Sequence, residues 1–367
     1  MAVRHHTVSA FLLDAFARDT KRGRLVAMLD KRSGTPKNVS PRDATIRRHF
    51  YSIDVDDGRR DPGIEELLSK VESIAAPLIR GIDAGDYPVR QQRLELAFFL
   101  AVCWLRTPAW REQMSSIMEQ TTSELFSKSL QLDPEMPQRA FAGSEMTREE
   151  IEQLRKDIVD GLSVGRFEVR FPKNAMIRYF LDGAIAAHWT MFVLDWVHVR
   201  IPDDYDEFVI ADNPFTLFDP TPAFPGGGSG LLSSPNAQGF MPISPRSGIM
   251  LQANEEAWKW TGENIEALHE MTDEQRAEAV DEHEGEWIEA GPTRDFAEEL
   301  NLRSYANAER YIFGSQAAVQ RVRADAKANP PRLVELAPRG PRVHIVEDEE
   351  GKPGRLRITD TFAPKPR

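Results

Sequence analysis

Two adjacent histidines, His5 and His6, stand just ahead of an apolar group made of Val8, Phe11, Leu12, Leu13 and Phe16. Imidazole serves as general base, proton shuttle or metal ligand near neutral pH. The apolar group would bury this segment and hold both rings near the core. Neighbouring side chains diverge, so at most one ring shares the buried face unless backbone curvature turns both toward a common ligand. Glu65 and Glu72 lie seven apart, two helical turns, and so fall on one face of a helix. Arg106 ends an apolar run just before Thr107 and Pro108, where a buried guanidinium needs a carboxylate or phosphate partner. Asp212 and Asn213 close a strand-like run, a place from which polar side chains project into clefts.

Two chemistries fit these residue types. In the first, a divalent metal ion held by His6, Glu65, Glu72 and Asp212 polarises a phosphoryl oxygen and generates hydroxide. Arg106 would grip the phosphate by a bidentate contact, Asn213 would orient it, and His5 or His6 would supply the base. That is a metal-dependent phosphodiesterase or nuclease, with His49 as a further ligand. In the second, the protein is a non-enzymatic binding or interaction protein. The histidines then hydrogen-bond to Asp212, the glutamates pair with Arg106, and the cluster is a buried polar network that fixes packing. The residue types alone leave both readings open.

Familiar signatures are absent, and that removes whole reaction classes. There is no G-x-x-x-x-G-K-[ST], no G-x-G-x-x-G and no H-E-x-x-H. The "GGGSG" at 226–230 lacks the lysine and the following helix of a phosphate cradle. Asp54, Asp56 and Glu65 have calcium-loop spacing, but Arg59 stands where the tight turn needs glycine. The "DEHEGEW" cluster at 281–287 reads as solvated surface.

The 367-residue chain carries a net charge of −12, unevenly spread. Residues 1–60 hold 13 Lys and Arg against 7 Asp and Glu, whereas 253–300 hold 16 acidic residues against 3 basic ones. A nucleic acid or nucleotide would therefore approach the basic N-terminal region, and a protein partner the acidic segment 253–300. The single cysteine, Cys103, sits in the apolar run "LAFFLAVCWL" and reads as core. No basic-then-apolar leader is visible, and the apolar runs fall short of the ~20 residues a membrane span needs. The expectation is a cytoplasmic protein with no membrane segment.

The elements that must position these side chains follow from apolar spacing and turn signals. The stretch "GRLVAMLDKRSGTPKNVSP" reads as a hairpin or two short strands, and 63–81 as an amphipathic helix. Pro108 ends one helix near Arg106 and starts another. Thr147 and Glu150 form a capping box that starts a helix at about 148. The run from Asn174 to Val199 is apolar nearly all round and reads as a helix inside a bundle. After residue 200, "DEFVIADNPFTLFDP" reads as two short strands and "GFMPISPRSGIML" as another. "LRSYANAERYIFGSQAAVQRV" reads as a helix, and the tail "PRVHIVEDEEGKPGRLRI" as two strand-like runs around a turn. The expected fold class is α+β, with a helix-dominated core and a small sheet formed from sequence-distant strands. The expected organisation is a single domain over 1–320. Within it, residues 1–60 form a basic region, 61–200 a helical region, 201–252 a β-containing region and 253–320 an acidic helical region. Residues 321–367 form a C-terminal extension with a β-hairpin.

The order of several short blocks adds a resemblance. The opening His5-His6-x-Val8-x-x-Phe11-Leu12-Leu13-x-x-Phe16, then "HFYS" at 49–52, "IEELLSKVE" at 64–72, "LRTP" at 105–108, "ADNPF" at 211–215, "MPISP" at 241–245 and "ANAERYIFGS" at 306–315 resemble an uncharacterised, mostly bacterial family, domain of unknown function 4238. The chain departs from that pattern at Thr7, where tyrosine is usual, and at Ser9, where proline is usual. The resemblance implies a shared fold and a shared polar site of His5, His6, Glu65, Glu72, Arg106, Asp212 and Asn213. It implies no particular activity.

Overall fold

Helix boundaries follow the local punctuation. In the computed structural model, α2 (Gly63–Ala84) buries Ile64, Leu68, Ala75, Ile79 and Ile82, which recur at helical spacing. It ends where Gly85 takes a left-handed φ of 101°, while Asp86 N–H returns to the carbonyl of Gly81 at 2.8 Å. Helix α3 (Arg90–Leu105) is buried along most of its second half. It stops before Pro108, which opens α4 (Pro108–Leu132). Thr107 Oγ1 accepts from Trp110 N at 3.2 Å and so caps the new first turn.

The structure describes residues 4–54, 60–218, 238–253, 284–329, 342–347 and 353–359, with Asn236 and a few positions between 271 and 278. The α+β class holds: helices dominate, and small sheets gather strands from distant stretches of the chain. Two compact units are present, residues 1–110 with 177–335, and residues 111–176 with 336–367.

In the first unit β3 (Gly23–Asp30) pairs with β2 (Arg18–Thr20) and with β4 (Pro36–Val39), which is the early hairpin. Its other neighbour is β14 (Tyr311–Gly314), and β9 (Ile210–Ala211) lies beyond that. A second sheet runs in the order β10 (Thr216–Phe218), β11 (Gln238–Pro242), β12 (Ser247–Gln252), β8 (Asp195–Arg200), β13 (Trp287–Ala290). A two-stranded ladder joins β1 (Arg4–His6) to β5 (Ile46–Arg48), with His5 opposite Arg47. The short pair β6 (Ile53–Asp54) and β7 (Arg60–Asp61) leads into α2. One large core runs from Val8, and Leu12 and Leu13 of α1 (Ala10–Ala15), through Leu96–Leu105 to Phe192, Trp196 and Phe240.

Three expectations need correction. The run from Asn174 to Val199 is not one helix: α7 (Lys173–Val193) hands over to β8, because Trp196, Val197 and Val199 suit a pleated surface paired on both edges. Nor is α7 inside a bundle, since Tyr179 and Ile185 remain exposed. The "LRSYANAERYIFGSQAAVQRV" helix is two helices, α8 (Arg294–Asn307) and α9 (Gln316–Ala328), separated by β14. The turn at Glu309–Arg310 is fastened from outside the segment, by the Asp212 carboxylate. The "GFMPISPRSGIML" run is a whole hairpin, β11 to β12, turned at Ser244–Arg246. The pair around Asn213 does form two strands, but β9 and β10 join different sheets.

In the second unit α4 continues to Leu132, followed by α5 (Met136–Ala140) and α6 (Arg148–Ser163). The capping box is formed: Thr147 Oγ1 accepts from Glu150 N at 3.2 Å, and Glu150 Oε2 accepts from Thr147 N at 2.7 Å. Arg155 Nη1 donates to the Leu130 carbonyl at 3.0 Å, tying α6 to α4. Strands β15 (Arg342–Glu347) and β16 (Pro353–Thr359) pair antiparallel. No helix of the described residues is long and apolar enough to cross a membrane.

Candidate functional site

Strand β1 and the first turn of α1 carry the histidines and Ser9, and alternation along the strand sends His5 and His6 to opposite faces. His5 is fully buried. Its Nδ1 accepts from the backbone N–H of Tyr51 at 2.7 Å, and Nε2 faces Ser52 Oγ at 3.5 Å. A ring nitrogen that accepts an amide proton carries none of its own, so these contacts assign the neutral tautomer with hydrogen on Nε2. The ring stacks on Tyr51 at 5.6 Å with planes 5° apart. The chain enters this position through His49, whose φ of 54° is left-handed, a conformation histidine tolerates better than most residues. Half-buried His6 turns its Nε2 to the carbonyl of Arg42 at 2.9 Å.

Helices α2 and α3 supply the charges. Arg106 is buried, and its Nη1 donates to Glu72 Oε1 at 2.7 Å while Nη2 donates to Ser9 Oγ at 2.6 Å. Ser9 Oγ in turn donates to Glu72 Oε1 at 2.8 Å, closing a three-residue ring. Tyr51 Oη donates to the Arg106 carbonyl at 2.5 Å, at the end of α3. Burial alone would favour a neutral guanidinium; the Glu72 carboxylate outweighs it and holds Arg106 firmly charged. Burial drives the Tyr51 hydroxyl far above its ordinary value, so it stays protonated as a donor.

Glu65 stands one heptad before Glu72, with its Oε2 3.7 Å from His5 Nδ1. Burial first, and then the like charge of Glu72, push its carboxyl above the usual glutamate range. His6 and Arg106 oppose that shift. The two glutamate side chains keep similar exposures, 25% and 26%.

Asp212 and Asn213 belong to a different assembly. Asp212 Oδ1 accepts from Glu309 N, and Oδ2 from Arg310 N and Tyr311 N, each at 2.9 Å. The carboxylate thus fastens the turn between α8 and β14. Burial raises its pKa, and the three amides offset some of that rise. Asn213 Nδ2 donates to Asn307 Oδ1 at 3.0 Å, and Asn307 Nδ2 reaches the carbonyls of Asn213 and Phe215.

Of the seven expected site residues, then, His5, Glu65, Glu72 and Arg106 come together, while His6, next to His5 on β1, turns to the carbonyl of Arg42. Asp212 spends both carboxylate oxygens on the amides of residues 309–311 instead, and Asn213 gives its Nδ2 to Asn307. Among the described residues no three His, Cys, Asp or Glu side chains converge as a metal site requires. The histidines hydrogen-bond to main-chain groups rather than to Asp212, whereas the expected pairing of a glutamate with Arg106 is present. Sequence reading passed over Ser9, Tyr51, Ser52 and Asn307. Three of these lie in the "HFYS" and "ANAERYIFGS" blocks, and Ser9 stood out only as a departure from proline. Residues 55–59 of the calcium-like spacing, the "GGGSG" loop, Asp281–His283 of the acidic cluster and most of 254–283 lie outside the described residues.

Fold and site together define an α+β protein organised around a buried arginine–glutamate–serine ring. The chain belongs to the family described as protein of unknown function (DUF4238), whose model matches residues 4–318. No curated protein and no solved structure matches it.

Proposed function

We propose that this protein acts by binding, and that the cluster opened by the histidines is its internal frame. The observation that carries this reading is the closed ring of Ser9, Glu72 and Arg106. A guanidinium that is buried and already neutralised by a carboxylate at 2.7 Å offers a phosphate no unpaired charge. His5 points the same way: one ring nitrogen is taken by a main-chain amide and the other faces a serine. The ligand is a nucleotide or nucleic acid drawn to the basic N-terminal region, in the cytoplasm, where the one buried thiol needs no oxidising compartment.

A second reading, metal-dependent phosphodiester hydrolysis, draws on Glu65. Glu65, whose proton affinity is raised by burial and by the like charge of Glu72, would be relieved by a divalent cation between these two partly exposed carboxylates. Incubating the full chain with RNA, single-stranded DNA and linear or cyclic dinucleotides, with Mg²⁺, Mn²⁺ or Zn²⁺, separates the two. The binding reading expects intact substrates and an unchanged melting temperature with each ion. A resident metal at a hundredfold its Kd would add about 2.7 kcal/mol. Cleavage that disappears in both Glu65→Gln and His6→Ala would overturn the binding reading.

A further inference from the structure

A cleft of about 390 Å³ opens in the first unit, and none of Ser9, Glu72 and Arg106 lines it. That volume lies within the range of pockets for small organic ligands. Three arginines line it, each from a different stretch of chain: Arg32 after β3, Arg47 on β5 and Arg310 before β14. Three guanidinium groups around one cavity repel each other unless acids or a ligand balance them.

The acids present are largely committed. Asp212 reaches the lining, but both its oxygens are taken by the amides of residues 309–311. Arg310 is held by Asp30 Oδ2 through Nε at 3.0 Å and Nη2 at 2.8 Å. Arg47 meets Glu309 only at 3.5 Å, with both side chains partly exposed, a loose pair that a better acceptor can replace. Arg32 is exposed, and among the described residues its guanidinium has no hydrogen bond or ion pair, although its own amide is anchored to Asp30 Oδ1 at 2.9 Å. The backbone is therefore fixed while the charge is left to point into the cleft.

We infer that this cleft binds a nucleoside monophosphate or a phosphorylated molecule of that size, with Arg32 and Arg47 as the phosphate grip. Guanidinium forks match phosphate oxygens in pairs, which makes arginine the better residue for this task than lysine. Glu309, also on the lining and held only loosely by Arg47, supplies an acceptor for a hydroxyl or amino group of the same ligand. A bare phosphate ion would make no use of it. The inference rests on the binding reading above and gives it a site and a ligand class.

The test is calorimetric titration of the full chain at low salt with adenosine 5′-monophosphate, adenosine, inorganic phosphate and a five-nucleotide RNA. The monophosphate should bind at least tenfold more tightly than adenosine or phosphate. Arg32→Gln and Arg47→Gln should each weaken it about tenfold with little change in melting temperature, because neither side chain holds the fold. Absence of monophosphate binding, equal binding of adenosine or of bare phosphate, binding of the RNA alone, or affinity unchanged in both variants would overturn the inference. Conversion of the monophosphate to adenosine during the titration would sink the binding-only reading and leave phosphate recognition in the cleft standing.

Discussion

Arg106 and Glu72 meet at 2.7 Å at the junction of two helices, and Ser9 bonds both of them. Ser9 and Glu72 are 63 positions apart along the chain, and Glu72 and Arg106 are 34 apart, so one polar ring ties the N-terminal segment to α2 and to the end of α3.

Removing one member should therefore cost stability rather than only local order. Glu72→Ala leaves a buried guanidinium with a hydroxyl as its remaining side-chain partner and should destabilise the protein by about 3 kcal/mol, the low end for breaking a buried pair because Glu72 keeps some contact with water. Joining it to Arg106→Met should recover some of that loss. Urea denaturation of the two variants checks both statements, and a double variant worse than Glu72→Ala alone would contradict them.

Glu65 makes stability depend on pH in a definite direction. Its carboxyl binds a proton more tightly in the folded chain than in the unfolded one, owing to burial and then to Glu72. Between the ordinary glutamate value, about 4.3, and the raised value, the folded state holds more protons, so this group's contribution falls as pH rises through that window. Glu65→Gln removes the loss. It should melt higher than wild type at pH 7, and the difference should shrink as pH falls below about 4. Melting curves across that range read it directly.

Asp212 should act on one turn. Asp212→Ala strands three partly buried main-chain amides at residues 309–311 and should cost about 2 kcal/mol, by the penalty for losing a charged acceptor. Hydrogen exchange should speed up first at Arg310 and Tyr311 and spread to β14. Unchanged protection there would contradict the turn-fastening role.

His5 should appear in nitrogen-detected NMR as the Nε2–H tautomer, because Nδ1 accepts from Tyr51 N at 2.7 Å. An Nδ1–H signal would mean that this bond is absent.

The helix start at Arg148 gives a simpler check: Thr147→Ala removes the side-chain cap on Glu150 N and should destabilise by about 1 kcal/mol in thermal denaturation.

What the amino-acid sequence determined by itself was local and periodic. Apolar spacing over 63–81, Pro108 after Arg106 and the Thr147–Glu150 box each act within one or two helical turns, so α2, the break before α4 and the start of α6 could be read from neighbours alone. The α+β class and the family followed from the order of such blocks. Only the tertiary structure decided the rest. Val197 and Val199 continue an apolar run that fits helix or strand equally well, and pairing with β12 and β13 selects the strand. Tyr311–Gly314 becomes a strand between two helices, flanked by β3 and β9 and preceded by a turn bonded to a carboxylate about a hundred residues earlier. The same holds for the polar residues. Glu72 and Asp212 are both carboxylates beside apolar segments, and composition cannot tell which one will meet a guanidinium and which three backbone amides. Such partners are set by chain crossings, because a buried polar group is stabilised by whatever complementary atom the fold brings within about 3 Å.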